Sequence, residues 1–399
     1  MDNICETNKK LLNWSGFWFE GDSVKYHQTL RIIVCFLAAI VLVVSPEMFC
    51  IYQNRKNLME VTRVTSECLT NTLCTIKMIV VYRNREKLRQ LFNEMQTEWN
   101  ISAVAAVKEK SMNRAEFISK GFGYSYLFFA TNFMINPLIT EIITSHVKNE
   151  TLSLKQMPFP IKLEFPFDSR RDVTTYTAIF SITFAAILVC QIILMGFDTL
   201  FIALMNHCGD FFKILGVNLK EIQNNNLQPD SESDQVGSDM DAQKYLNNLK
   251  VIVHKHNKYI DFTYRLEEIL NLVMLAQYLA STFMFCIVGF QLSILLKTPY
   301  DFCILLTYCG CLGTQLFLFS WFGSYLTTSS FDVSLTAYEC GWYDAPVQFQ
   351  KEIIFIIQRS HRPLGITASK FYYISVESFA NTVSAAMSYF TLLHSLYEE

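Results

Sequence analysis

Seven separate stretches of this 399-residue chain are each long and apolar enough to cross a lipid bilayer. A helix needs about 20 mostly apolar residues to span the hydrocarbon core. On that template the predicted spans are residues 30–48, 62–82, 122–145, 174–204, 269–296, 302–326 and 371–397. The second span is the weakest, because it carries Glu67, Asn71 and Lys77. The pattern predicts an all-α membrane protein with seven transmembrane helices.

The composition favours one membrane domain over several soluble ones. Apolar residues make up 51% of the chain and charged residues 17%, a balance that a soluble protein reaches only by burying unusually long apolar runs. The formal net charge of -3 is close to neutral, and the basic residues are dispersed. We therefore expect membrane lipid as the surroundings and no nucleic-acid partner.

Lys and Arg are concentrated on one side of the predicted spans. Twenty-one of them fall in one alternate set of connections, which comprises residues 1–29, 83–120, 206–262 and 329–370. The other set holds eight. Because cytoplasmic connections carry the excess of Lys and Arg, the N-terminus is predicted to be cytoplasmic. Seven crossings then place the C-terminus outside the cell.

Two connections have an unusual composition. Residues 223–241 are acidic, rich in Asn and Ser, and nearly free of bulky apolar groups, so we expect them to be disordered. The stretch "QMPFPIKLEFPFD", residues 156–168, contains three prolines and three phenylalanines. Such a segment disfavours a helix, and we expect an extended, stiff cap over the outer face.

A shorter helix is predicted between the last two spans. Phe349, Ile353, Ile356 and Ile357 recur at helical spacing, and Pro363 ends the pattern. The segment is too short to span a bilayer, so we expect a cytoplasmic amphipathic helix. Its apolar stripe packs either within the same chain or against another copy.

The last predicted span carries a line of polar residues on one helical face. Steps of three and four connect six of them: Glu377, Asn381, Ser384, Ser388, Thr391 and Ser395. Such a stripe indicates contact with water or a polar seam, although serines also permit close packing between helices. If the stripe is a channel wall, several subunits share an axis through their last spans.

Leu392 and Leu396 stand beside this stripe, four residues apart near the end of the chain. Repeated around an axis, they would form apolar rings that block ions by dewetting. Leucines at this spacing are more often part of a face that contacts lipid or the protein core. The spacing alone leaves both interpretations open.

The C-terminal residues resemble those of the insect odorant receptors. The resemblance rests on "SYFTLL" at 388–393, on "ITASKFYYISVESFANTVSAAM" before it, and on "AYECGWYDAP" and "FQKEIIFIIQRSHRPL" further upstream. It is specific over 329–399, and the rest agrees in outline only. The tail differs from that of the coreceptor and lacks the ending typical of gustatory relatives, so the chain resembles a ligand-tuning subunit. A divergent gustatory-type receptor is the alternative.

The resemblance implies an odorant-gated, non-selective cation channel. Members assemble as tetramers, usually with a shared coreceptor subunit, around a central pore lined by the last helix; a homotetramer is the other arrangement. By this resemblance the pore and gate residues are Ser388, Thr391, Leu392, Ser395 and Leu396. The expected location is the plasma membrane of a sensory neuron, at its dendrite or cilium.

The resemblance also implies an odorant pocket in the outer half of each subunit, between the second, third, fourth and sixth spans. Depth alone selects the candidate ligand-binding residues, which are Leu69, Leu73, Phe128, Asn132, Ile135, Tyr176, Phe180, Phe184, Leu305 and Tyr308. The expected ligand is a small volatile held by apolar burial and oriented by Asn132 or a tyrosine hydroxyl. Ordinary packing between helices is the alternative for each residue.

Three parts of the chain follow from these predictions. Residues 1–29 form a cytoplasmic N-terminus, and 30–328 form a six-helix bundle that holds the odorant pocket. Residues 329–399 comprise the cytoplasmic anchor helix and the pore-lining seventh span.

Other function classes receive little support from the sequence. A G-protein-coupled receptor has the opposite orientation and a seventh-span N-P-x-x-Y motif, which this chain lacks. A secondary transporter would show paired halves with broken helices. No catalytic motif and no metal-ligand spacing of Cys and His occurs, so we expect no enzyme activity, no metal and no cofactor.

Overall fold

The protein folds as a bundle of long helices, which a computed structural model describes for residues 6–18, 26–102, 104–148, 154, 157–226, 238–295 and 299–398. Over these residues the structure contains no extended strand, only one isolated bridge between Thr367 and Tyr373. The α-helices of this part of the chain are α1 (Glu6–Ser15), α2 (Tyr26–Leu37), α3 (Ser45–Gln53), α4 (Leu58–Arg83), α5 (Arg85–Ile101), α6 (Ala105–Lys148), α7 (Val173–Asn226), α8 (Ser238–Ile294), α9 (Pro299–Glu339), α10 (Val347–Ser360) and α11 (Val376–Glu398).

Six helical segments of the described chain are long and apolar enough to cross a membrane. The first is Tyr26–Gln53, in which a π-helix, Ala38–Val44, joins α2 to α3 without a break. The others lie in α4, α6, α7, α8 and α9. Helix α11 adds a seventh, since its 23 residues extend about 35 Å although its polar residues lower its hydropathy. The predicted all-α membrane fold is confirmed.

Helices α6 to α9 are far longer than the predicted spans within them. They contain 44, 54, 57 and 41 residues, and the longest extends about 85 Å, well beyond a hydrocarbon core of about 30 Å. Their polar extensions carry no continuous apolar run, so a hydropathy window does not detect them. The extensions pack with α5 and α10 into a second helical layer outside the membrane core.

Aromatic rings form the centre of this second layer. Phe211 of α7 stacks on Tyr259 of α8 with ring centroids 4.9 Å apart, and Trp99 of α5 meets Phe211 edge-on at 5.8 Å. All three side chains are fully buried. Nearby, the carboxylate of Asp210 accepts hydrogen bonds from Arg114 at 2.7 Å and from the Tyr325 hydroxyl at 2.5 Å. These contacts join helices α5, α6, α7, α8 and α9 in one layer.

Helix α10 lies across the second layer, and its apolar stripe is covered by the same chain. Phe349, Ile353 and Ile356 are buried where α10 packs against α9 and α8. A turn with positive φ at Ser369 and Lys370 then leads into α11. Of the two arrangements left open by the sequence, the structure shows packing within one chain.

The proline-rich connection caps one end of the bundle. Residues 157–168 are not helical, and two side chains of this segment, Phe159 and Ile161, are buried. The Tyr176 hydroxyl donates to the Pro158 carbonyl at 2.7 Å and holds the cap on α7. Most of the other unusual connection, residues 223–241, lies outside the described residues; its two ends, 223–226 and 238–241, are helical.

Two polar residues of the predicted second span, Lys77 and Asn71, are buried and paired. Lys77 of α4 donates to Asp198 of α7, and Gln315 of α9 donates to the second oxygen of the same carboxylate. Asn71 donates to Glu47 of α3 at 2.7 Å. Polar side chains inside a membrane core are tolerated when partners on neighbouring helices satisfy them. The span that looked weakest is therefore held by polar contacts with two neighbouring helices, α3 and α7.

Replacing Lys77→Met tests the buried ion pair. The change leaves Asp198 without its cationic partner, which destabilises a protein by about 3 to 5 kcal/mol. The double variant Lys77→Met with Asp198→Leu removes the uncompensated charge and should recover much of the lost stability. Thermal unfolding of the purified protein measures both effects.

An exposed ion pair provides the control for this experiment. Lys87 and Glu268 lie 2.7 Å apart with side chains 57% and 62% exposed. Pairs of this kind contribute about 0 to 1 kcal/mol, so Lys87→Met should leave the unfolding midpoint nearly unchanged. A Lys77→Met protein as stable as the double variant would contradict the assigned role of the pair.

Candidate functional site

A cavity of about 560 Å³ lies within the bundle, enclosed by α4, α6, α7 and α9. Ile161 of the capping segment reaches it from the end of the bundle, so the cavity sits close to the cap. Its volume is in the range of pockets that hold small molecules. The enclosing helices are the second, third, fourth and sixth spans, between which the sequence-based prediction placed a binding site.

Four of the ten predicted ligand-binding residues line the cavity. They are Phe128, Asn132 and Ile135 on α6 and Tyr308 on α9. The ring of Tyr308 stacks on Phe133, another lining residue, with centroids 5.7 Å apart. The aromatic pair joins α6 to α9 along the cavity wall.

The other six predicted residues do not line the cavity and lie in two packing clusters beside it. Leu69, Leu73 and Leu305 pack with Met284 and Val288 of α8. Tyr176, Phe180 and Phe184 pack with Phe159 and Ile161 of the capping segment, among other residues. Depth along a span placed all six at a suitable level, but the rotation of each helix directs these side chains elsewhere.

Several polar residues of the cavity wall were not among the predicted ligand-binding residues. They are Glu67, Thr70 and Asn71 on α4, Tyr126 on α6, Gln191 on α7 and Gln315 on α9. Each lies within an apolar span, and a polar residue in that position is by default a candidate functional residue. The sequence interpretation took Glu67 and Asn71 as signs of a weak span instead.

Hydrogen bonds between helices hold most of these polar groups in place. The Tyr126 hydroxyl donates to Gln191 Oε1 at 2.5 Å, and the hydroxyls of Thr70 and Tyr308 lie 3.0 Å apart. Gln315 is fixed by its bond to Asp198. The cavity wall is therefore preorganised around a mainly apolar space.

The cavity opens towards the outside of the bundle along α6. Three of its lining residues there are substantially exposed: Phe128 at 63%, Ile135 at 37% and Ile139 at 44%. A small apolar molecule can reach the cavity between these side chains. Over the described residues no cluster of His, Cys, Asp or Glu is arranged to hold a metal ion.

The five predicted pore and gate residues share the exposed side of α11. Ser388, Thr391 and Ser395 are exposed, and their hydroxyls donate to backbone carbonyls of the same helix. Leu392 and Leu396 are 59% and 63% exposed. The rest of the polar stripe, Glu377, Asn381 and Ser384, is exposed as well.

The opposite side of α11 is covered by the chain's own helices. Ser378, Thr382 and Ala386 are buried where α11 packs against α8 and α9. Phe390 packs over Gly289, where the Cβ of any other residue would meet its ring at 3.5 Å. The fold thus buries one face of α11 and presents the polar one outward.

A row of hydrogen bonds connects the cavity with α11. Gln277 of α8 donates to Gln315 at 3.4 Å. The hydroxyl of the next residue, Tyr278, lies 2.5 Å from that of Ser320 on α9 and accepts from Ser378 of α11 at 3.3 Å. Adjacent residues of α8 thus contact the cavity residue Gln315 and the first turn of α11.

Comparison with known proteins gives consistent matches. The family described as "7tm Odorant receptor" matches residues 57–387. Odorant receptor 13a of Drosophila melanogaster is 26% identical over 362 residues, which cover 86% of this chain and 82% of the relative. Putative odorant receptor 92a of the same species is 22% identical over 349 residues, 85% and 80% of the two chains.

Solved structures show the same fold. The insect olfactory receptor OR5 from Machilis hrabei in complex with eugenol aligns with a TM-score of 0.79 over 99% of this chain and 100% of that one. The OR5 structure described without eugenol aligns at 0.76, over 97% and 96%. Sequence identity is 14% in both alignments, so the likeness concerns the arrangement of the helices.

Proposed function

This chain belongs to the 7tm odorant receptor family, and from that premise we propose that it is the ligand-tuning subunit of an odorant-gated, non-selective cation channel. The relatives are named as odorant receptors, which agrees with the prediction that the chain is not an enzyme and disfavours the gustatory alternative. One observation carries the proposal: the same chain combines a small-molecule cavity in its helical bundle with an exposed polar face on α11.

The cavity is the proposed odorant site. Its mainly apolar wall favours small volatile molecules, because burial of apolar surface supplies most of the binding free energy. Phe128, Ile135 and Tyr308 contact the odorant in this proposal, and Asn132 orients it. The solved relative with the same fold holds eugenol, a small aromatic compound.

The exposed face of α11 is the proposed pore wall. A polar stripe is costly against lipid, so its natural surroundings are water and the same face of neighbouring subunits. Four copies of α11 around one axis would place Ser388, Thr391 and Ser395 along an aqueous path. Leu392 and Leu396 would close that path as apolar rings.

Gating requires that the odorant bind the open arrangement more tightly than the closed one. The row from Gln315 through Gln277 and Tyr278 to Ser378 supports a route by which cavity occupancy moves α11. In the proposed sequence, α9 shifts when the cavity fills and Leu392 withdraws from the axis. Residues 30–328 then act as the sensing bundle and 329–399 as the anchor and pore.

We further propose that the chain assembles with the shared coreceptor subunit in a tetramer, or with three copies of itself. Its multiple apolar spans make it a multi-pass membrane protein. The proposed location is the plasma membrane of a sensory neuron, at the dendrite or cilium, with residues 1–29 in the cytoplasm. Mass measurement of the purified assembly distinguishes the two compositions.

Filling the cavity tests the odorant site. The change Ile139→Trp adds a large ring to a half-exposed lining residue, so it should abolish odorant-evoked cation current or raise the half-maximal concentration at least about tenfold by steric exclusion. Currents are recorded from cells that express the full chain with the coreceptor, over a panel of volatile compounds.

Ile143→Trp is the matched control. Ile143 lies one turn further along α6, is 56% exposed, and does not line the cavity. This variant should keep wild-type currents. Equal responses from the wild type and Ile139→Trp would show that odorants bind elsewhere.

Replacing Leu392→Ser tests the gate. A hydroxyl in place of an isobutyl group lets water enter the ring, so current without odorant should rise several-fold above the wild-type level. Met387→Ser, at an equally exposed position on another side of α11, should leave that basal current low. Unchanged basal current from Leu392→Ser, with normal surface expression, would exclude this leucine as the gate.

A further inference from the structure

Two buried polar residues of the cavity wall have acceptor oxygens that no described group satisfies. Glu67 and Asn71 lie one turn apart on α4 and are only 7% and 5% exposed. Both line the cavity. Within the described part of the chain, Oε2 of Glu67 and Oδ1 of Asn71 accept no hydrogen bond. A buried acceptor left in this state costs free energy that a donor would recover.

The neighbouring hydroxyl groups and the Asn71 amide of the cavity wall already have acceptors within the protein. The amide nitrogen of Asn71 donates to Glu47 at 2.7 Å, so its oxygen remains as an acceptor. The Thr70 hydroxyl has the Ser66 carbonyl at 3.2 Å, and the Tyr308 hydroxyl has the same carbonyl at 3.3 Å. Both hydroxyl hydrogens thus have acceptors on the backbone of α4. A bound ligand with a donor can pair with the free oxygens of Glu67 and Asn71.

The surroundings of the two free oxygens favour a neutral donor. The cavity wall is mainly apolar, and a charged group placed in such a space loses its hydration. A hydroxyl group can donate to one of the free oxygens without bringing a charge into the cavity.

The rest of the wall suits the remainder of such a ligand. Ile135 and Ile139 on α6, Ile187 on α7 and Ile304 on α9 all line the cavity. A hydrocarbon chain or aromatic ring placed against them loses contact with water and gains burial energy. The cavity wall therefore combines the polar groups of α4 with a larger apolar surface on the other helices.

We infer that this receptor selects small apolar molecules that carry a hydroxyl donor, namely alcohols or phenols, and that Glu67 with Asn71 is the specificity-determining part of its cavity. The inference deepens the proposed odorant site and rests on it. Selection arises because the methyl ether of the same compound keeps its apolar part but has no hydroxyl hydrogen, so it leaves the acceptors unpaired. A site built to receive a donor discriminates strongly against an analogue that lacks it.

The test compares each alcohol with its own methyl ether. Hexanol, octanol and phenylethanol are applied beside their ethers to cells that express the full chain with the coreceptor, and half-maximal concentrations are read from the currents. For the wild type at least one alcohol should be about tenfold or more stronger than its ether, as expected when the alcohol pairs a buried acceptor that the ether leaves unpaired. In Glu67→Leu that ratio should fall to about one.

Ile135→Ala is the matched control for the variant. It enlarges the apolar part of the same cavity, so it should weaken the alcohol and the ether alike and keep their ratio. Equal potency of alcohols and ethers on the wild type would overturn the inference while leaving the odorant receptor proposal standing. A ratio that survives Glu67→Leu would overturn it as well.

A binding measurement covers the case in which Glu67→Leu does not reach the cell surface or no current is evoked. The purified wild-type complex is heated with each alcohol or its ether, and the shift in unfolding midpoint is compared. Greater stabilisation by an alcohol supports the inference even where the channel proposal fails. Equal stabilisation by both members of every pair, or none at all, overturns it.

Discussion

Asp198 is the contact on which the arrangement of the membrane bundle depends. Its carboxylate lies fully buried on α7 and receives Lys77 from α4 and Gln315 from α9. A charge in this position is stable only while its partners stay in place, so the three helices are held in one register. Those helices form three of the four walls of the cavity, and α6 forms the fourth. The cavity is thus a consequence of how the bundle satisfies its buried charges.

The same contact places the cavity next to the helices that lead to α11. Gln315 lines the cavity, contacts Asp198 on one side, and accepts from Gln277 on the other. Helix α8 carries Gln277 and Tyr278 and packs along the buried face of α11. A ligand that shifts α9 therefore acts through packed, hydrogen-bonded contacts. The proposed channel needs only this short route from the cavity to the last helix.

Sequence periodicity predicted the membrane spans because lipid imposes a simple requirement of apolar length. It did not predict where α6 to α9 end, since their extensions are stabilised by packing against one another and against α5 and α10. The amphipathic pattern of α10 could be recognised because its buried residues, from Phe349 to Ile356, lie on one face of the helix. The helices that cover this face could not be identified, because the spacing of apolar residues does not specify what packs against them.

The candidate site shows the same division. Depth along a span can be counted from residue numbers, and it correctly selected Phe128, Asn132, Ile135 and Tyr308 as residues that line the cavity. Rotation about the helix axis is set by neighbouring helices, so Leu73 and Phe180 at similar depth pack elsewhere. Glu67 and Asn71 offered a signal in the sequence, as polar residues inside an apolar span, but their pairing depends on Glu47 and the cavity itself. On α11 the stripe was readable because its spacing follows one face of a helix that the chain leaves uncovered.

We propose that the exposed face of α11 lines the ion path. Chemical modification of a cysteine introduced on this face tests the proposal most directly. A cysteine introduced by Ser388→Cys should react with a charged, membrane-impermeant thiol reagent during odorant application, and the evoked current should fall irreversibly. The wild type, whose described α11 contains no cysteine, and Met387→Cys should keep their currents. Full persistence of the Ser388→Cys current, with the thiol confirmed as modified, would place this face outside the pore.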